Sequence, residues 1–237
     1  MKKVTHLATL AILGLLASCG PKEEFTGKPA DLTPTGTPAA KPDSEKGWMT
    51  IFNGNDLAGW KDSAETPDSF IVEDGALKVC NGRSHLFYTG PTGDASFKNF
   101  EFKATVKHMP GSNSGIYIHT KFQEKGWPDT GYECQVNSTG HKDPKKTGGL
   151  YAVKDVLDTA PVGDDEWFEY FIRVQDKKII IKINGQTTTE WTEPDGWDPS
   201  TALKNMPGRK LGEGTIAIQG HDPQSVVYYK DIKVRKL

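Results

Sequence analysis

Glu133 is the residue around which chemistry in this chain can be arranged. It sits in Gly131-Tyr132-Glu133-Cys134-Gln135-Val136-Asn137, and a matching alternation runs through Asn113-Ser114-Gly115-Ile116-Tyr117-Ile118-His119. Successive side chains of a strand point to opposite faces, so Ile116, Ile118, Tyr132, Cys134 and Val136 are expected in a core. Tyr117, His119, Glu133, Gln135 and Asn137 are then expected on the other face. That face carries one carboxylate, an imidazole, a phenol and amides. A carboxylate or imidazole can move a proton, and amide donors can hold an oxygen that gains charge. No second carboxylate follows at 135 or 137, so chemistry needing a carboxylate pair is disfavoured unless a distant Asp or Glu folds over the site. A loop beyond the second run holds His141 with Lys142, Lys145 and Lys146. His141 reads as the acid-base partner of Glu133, and the lysines read as a solvated face. His119 and His221 are reserves for either role, although His221 stands just before Asp222-Pro223 and reads equally as part of a turn.

These residues need strands to position them, and the rest of the chain supplies strand patterns. After residue 47 no sustained 3.6-residue apolar period occurs, whereas alternating runs recur between Gly, Pro, Asn and Asp. Phe70 to Val79 reads as two strands joined by Asp74-Gly75, and Asn184-Gly185 turns a strand pair from Tyr170 to Ile183 toward Thr187 to Trp191. Phe100 to Lys107 alternates throughout, and Thr215 to Ile218 and Val226 to Val234 read as closing strands. Ten or more short strands in this length predict an all-β, two-sheet antiparallel β-sandwich of jelly-roll type. Short helices are expected near Ser200 to Asn205 and Val153 to Asp158.

The first residues read differently. Lys2 and Lys3 precede an apolar run from Leu7 to Ala17, too short to span a membrane, which marks a signal peptide. It ends Leu16-Ala17-Ser18-Cys19 and resembles a lipobox, so residues 1–19 are expected to direct export and Cys19 to carry a lipid anchor. That places the protein at the bacterial outer membrane, on its periplasmic or surface side, touching membrane through the anchor only. Residues 20–46, rich in Pro, Thr and Ala, form a disordered tether, and the domain spans residues 47–237. With 237 residues and a net charge of -2, the chain lacks the basic surface that nucleic acid requires. Export permits a Cys80–Cys134 disulfide, but parity sets Cys80 opposite Leu77 and Val79 and leaves the bridge open. His119, Glu133, His141 and His221 have side chains suited to a divalent cation, yet no ligand spacing enforces one, so a cation is the secondary reading and the cofactor is left unassigned.

Five segments taken together resemble one family. They are Trp48-x-x-Ile51-Phe52-Asn53-Gly54-x-Asp56-Leu57-x-Gly59-Trp60, Asn113 to Ile118, Gly131-Tyr132-Glu133-x-Gln135-Val136, Thr147-Gly148-Gly149-Leu150-Tyr151 and Ile218-Gln219-Gly220-His221. Their order and spacing are similar to those of the 3-keto-disaccharide hydrolase domain, over Trp48 to Leu237. The resemblance implies a concanavalin A-like sandwich and an enzyme, a hydrolase or lyase, that cleaves glycosides oxidised to a ketone at C3. Such a ketone acidifies the C2 proton, so one base, one acid and donors for the enolate oxygen suffice. Glu133 and His141 are the catalytic candidates, in either order, with Gln135, Asn113 or a cation polarising the ketone. Asn113, Tyr117, His119, Gln135, Tyr151, Gln219 and His221 are candidates to hold an oligosaccharide or glycoside substrate. Tyr151 and Trp127 either cap the core or offer aromatic faces to a sugar. The resemblance implies arginine at position 119 in many relatives, so His119 bears on substrate choice. The alternative is a non-catalytic carbohydrate-binding module on a surface lipoprotein, a common use of such sandwiches.

Overall fold

The structure, a computed structural model, describes residues 47–237. The expected signal peptide with Cys19 and the tether lie outside the described residues. Within them, the alternating runs become strands, in order β1 (Met49–Thr50), β2 (Trp60–Asp62), β3 (Phe70–Glu73), β4 (Ala76–Val79), β5 (Ser84–Tyr88), β6 (Phe100–His108), β7 (Asn113–Thr120), β8 (Tyr132–Asn137), β9 (Lys145–Leu150), β10 (Lys154–Leu157), β11 (Phe168–Gln175), β12 (Lys178–Ile183), β13 (Gln186–Thr192), β14 (Thr215–Gly220) and β15 (Val227–Lys236). One short helix, α1 (Pro199–Ala202), begins at Asp198, whose side chain accepts the Ser200 amide. The segment Val153 to Asp158, expected as a second helix, instead contains the strand β10. It lies at a sheet edge paired with β9, and that partner, remote from any local pattern, decides its form.

The strands make two antiparallel sheets, as the alternation predicts. One, of eight strands, runs β13-β12-β11-β6-β15-β4-β3 with β1 added on β15, and the other, of seven, runs β10-β9-β8-β7-β14-β5-β2. Asp74-Gly75 and Asn184-Gly185 close their hairpins with positive φ at both residues (51° and 77°, 49° and 76°), the conformation that matches strand twist. Phe102, Val106, Tyr170 and Ile172 of the larger sheet meet Ile116, Ile118, Cys134 and Val136 of the smaller in one core. Cys134 is a free thiol in that core, so no Cys80–Cys134 bridge forms. Because the inward residues of β7 and β8 are spent on this core, their other faces are left for the site.

Candidate functional site

Antiparallel register lays the outward residues of the smaller sheet in rows. Glu133 pairs with Tyr117, Tyr117 with Ala217, and Ala217 with Phe87. Two residues along, Gln135, Gly115, Gln219 and His85 make the next row. Over these rows opens a cavity of about 640 Å³, lined by Asn113, Tyr117, Glu133, Gln135, Tyr151, Gln219 and His221 from the sheet and its edges. Trp127, Asp129, Met206 and Arg209 line it from loops.

Glu133 is buried at the cavity floor and ringed by donors. Tyr117 Oη donates to its Oε2 at 2.8 Å and Gln219 Nε2 to its Oε1 at 2.8 Å, while Arg209 Nη2 stands 3.4 Å from Oε2. With the Gln135 amide turned to satisfy both of its atoms, its nitrogen donates to the Ser114 carbonyl at 3.0 Å and to Glu133 Oε1 at 3.3 Å. Burial raises the Glu133 carboxyl above the usual range, and Arg209, Tyr117 and Gln219 pull it back down. Room for this carboxylate comes from Gly115, where a Cβ would stand 2.7 Å from Glu133 Oε1 and 3.0 Å from its Cγ. Glycine is required there by contact rather than by backbone angle.

Two loops complete the walls and a third backs them. Arg209 belongs to the stretch between β13 and β14, which packs backbone to backbone on the β8 entry: the Gly131 amide donates to Gly208 O at 3.0 Å, and a Cβ on Gly208 would overlap Asp129 O at 1.8 Å. Trp197 Nε1 donates to Arg209 O, and Glu193 Oε2 accepts both Tyr132 Oη and the Leu211 amide, each at 2.7 Å. The guanidinium, 5.0 Å from the Tyr117 ring centre, is thereby aimed at Glu133. The loop before β8 is folded around Gln123, whose amide bonds Lys125 O, Trp127 O and the Asp129 amide. It sets Trp127 beside His221 (ring centres 5.2 Å) and edge-on to His85 at 5.6 Å. The third loop is pinned from inside. Lys146, read from sequence as part of a solvated face, is buried, and its ammonium donates to Ser138 O, His141 O and Asp143 O at 3.0, 2.7 and 2.6 Å.

The structure brings Asn113, Tyr117, Glu133, Gln135, Tyr151, Gln219 and His221 onto one cavity. His141 stands a layer behind, its ring edge-on to His221 with centres 5.5 Å apart. His119 departs from the parity expectation. Its φ is 55° and the β14–β7 register shifts between Thr215 and Ala217, so the ring turns toward Phe100 (5.7 Å). There Nε2 meets Lys98 O at 2.9 Å and Nδ1 accepts the Gly212 amide at 3.2 Å, a clasp between loops away from the cavity. The four residues suggested for a cation are therefore not gathered. Among the described residues, His141, His221 and Asp222 are the group whose ligand atoms lie within 4.8 Å of one another.

Arg209 and Asp129 escaped the sequence reading. The signal that could have found Arg209 is the long stretch without strand pattern from Glu193 to Gly214, since such insertions between strands often carry binding groups. Several buried polar atoms around the cavity have no hydrogen-bond partner among the described residues: both side-chain atoms of Asn113, Gln219 Oε1 and Arg209 Nε. Buried polar groups are rarely left unmet, and these four atoms belong to residues that line one cavity.

Together with the family it matches, a two-sheet sandwich with an amide-rich, aromatic-flanked pocket on one sheet makes this a carbohydrate-active protein of glycosyl hydrolase-like kind. Residues 47–235 match the 3-keto-alpha-glucoside-1,2-lyase-like domain, and the chain belongs to that family. A crystal structure of a candidate glycosyl hydrolase from Parabacteroides distasonis ATCC 8503 is similar at 24% identity and a TM-score of 0.67, over 81% of this chain and 94% of that one. A second from the same organism is 23% identical with a TM-score of 0.62, over 81% and 100%. The carbohydrate-binding module CBM66 from Bacillus subtilis shares the fold at 9% identity and a TM-score of 0.50, over 75% and 96%. No curated protein matches the chain significantly.

Proposed function

We propose that this protein cleaves glycosides carrying a ketone at C3, by removing the C2 proton and expelling the group on C1. The observation that carries the reading is the state of Glu133: a single carboxylate on the sheet floor, encircled by Tyr117, Gln219, Gln135 and Arg209. The other carboxylate at the cavity, Asp129, sits exposed on the rim. Paired-carboxylate hydrolysis needs two such groups about 5–9.5 Å apart on opposite sides of the bond, whereas elimination from a 3-keto sugar needs one base, one acid and enolate donors. Here Glu133 and the amides hold sugar hydroxyls, and Asn113 and Arg209 have donors to spare for the enolate oxygen. The proton-transfer groups come from the histidines beside the cavity, His221 on its wall with His141 behind it. Loss of the C2 proton gives the enolate; cleavage of the C1–O bond leaves a 1,2-unsaturated ketone and a leaving oxygen that takes up a proton. Addition of water across C1 and C2 then makes the net reaction a hydrolysis.

The test is incubation of the purified protein with 3-keto-disaccharides of several linkages, following released sugar. Turnover is expected, with kcat/KM reduced by about 10²-fold or more in Glu133→Gln. Cleavage of unoxidised glycosides that is lost in Asp129→Asn would overturn the reading in favour of a two-carboxylate hydrolase. Tight calorimetric binding of sugars without any product would overturn it in favour of a binding module.

A further inference from the structure

We propose that His221 is the base that takes the C2 proton, with Asp222 and His141 as residues that position it; this rests on the function just proposed. The arrangement begins at the end of β14. Gly220 lets the backbone pass close to its neighbour, since a Cβ there would stand 2.6 Å from Gly82 O, and His221 follows directly at the cavity wall. Asp222 is saturated by donors. Its Oδ1 accepts the Gln224 and Ser225 amides at 2.9 and 3.1 Å, and its Oδ2 accepts Ser225 Oγ at 2.8 Å and stands 2.9 Å from His221 Nδ1. A carboxylate so held fixes a proton on Nδ1 and leaves the Nε2 lone pair, which has no partner among the described residues, as the basic position of a ring that lines the cavity.

His141 is locked in the opposite sense. Its Nδ1 accepts the Asp143 amide at 3.1 Å, so the neutral ring carries its proton on Nε2, 3.6 Å from Asp222 Oδ2. That nitrogen is a donor and cannot abstract a proton. Its ring buttresses His221 on one side as Trp127 does on the other. Glu133 is a poor base by the same accounting, because each oxygen already accepts hydrogen bonds and protonation would dismantle its contact with Arg209. A divalent cation held by His141, His221 and Asp222, whose ligand atoms lie within 4.8 Å of one another, is the rival use of the same cluster. In the step itself, the C2–H bond breaks, its proton goes to His221 Nε2 and its electron pair to the enolate. The imidazolium, facing Asp222, then returns the proton to the departing C1 oxygen, which regenerates the base.

The decisive measurement is exchange of the C2 hydrogen for deuterium in heavy water, followed by NMR beside turnover of the same 3-keto-glycoside. His221→Ala is expected to lose both by about 10²–10⁴-fold with kcat affected, while its melting temperature and substrate affinity persist. Glu133→Gln is expected to lose chiefly through KM. In Asp222→Asn, where His221 Nδ1 loses the carboxylate that orients it, kcat and exchange are expected to fall together while KM and melting temperature hold, and Asp222→Glu should restore part of the loss. Exchange that survives in His221→Ala while wild type is active overturns the assignment alone. Micromolar binding of Mn²⁺ to wild type, abolished in His141→Ala, overturns it in favour of a metal centre. Wild type without exchange or turnover overturns the function and the base together.

Discussion

At the scale of single residues, the site depends on Gly115 as much as on any group that bonds a ligand. Its missing side chain is the space that Glu133 fills, and the carboxylate cannot step aside without giving up Tyr117, Gln219 and Arg209. Gly115→Ala is therefore expected to destabilise by about 1–3 kcal/mol through overpacking and to weaken sugar binding together with it. Paired thermal melts and calorimetry check this, and an unshifted melt with full affinity would contradict it. The sequence disclosed Glu133, Tyr117 and Gln135 through simple parity, because β7 and β8 are local runs whose period reports the face directly. Arg209 was out of reach for the opposite reason. It arrives from a loop far along the chain, and its place is fixed by Gly208, Trp197 and Glu193 rather than by any local pattern.

At the scale of elements, β7 shows where parity stops working. From Asn113 to Ile118 its alternation is faithful, and at His119 a positive φ and a register shift turn the next side chain into the end of the core. A bulge of this kind leaves no mark in residue types, so the sequence puts His119 with the substrate. Its measured role should be structural: His119→Val, a branched residue in the left-handed region, is expected to cost about 1–3 kcal/mol, whereas His119→Asn should keep sugar affinity nearly intact. A large loss of affinity in folded His119→Asn would return the residue to the site. The hairpins closed by Asp74-Gly75 and Asn184-Gly185 were legible because their turns require positive φ that Gly and Asn or Asp supply. β10 was not, because a four-residue edge strand exists only through its partner.

At the scale of the whole molecule, the histidines bear on acid stability together. Burial lowers the pKa of His85 to about 3 and lowers those of His108, His119 and His141 from the ordinary 6.5. The unfolded chain therefore takes up protons below that value that the folded chain refuses, so stability is full above it and is lost as pH falls toward the folded values. Glu133, raised by burial, works weakly the other way. The melting temperature is expected to fall from pH 7 to pH 4, and to fall less steeply in His85→Leu, which removes a buried ring whose two nitrogens have no partner among the described residues. A slope unchanged by that substitution would rule His85 out as a contributor. The sheet order carries a consequence of another kind, in time. β14 lies between β7 and β5, and β15 between β6 and β4, so in both sheets the earliest strands of the domain join the later ones only across the last two. Until those arrive, the smaller sheet is two pieces and the larger is two with β1 unpaired, all with open edges, the state most prone to pairing with a neighbouring chain. Folding should accordingly be slow for the domain's size and governed by its C-terminal strands, and the pocket, which takes Gln219 and His221 from that same segment, should be the last feature to form.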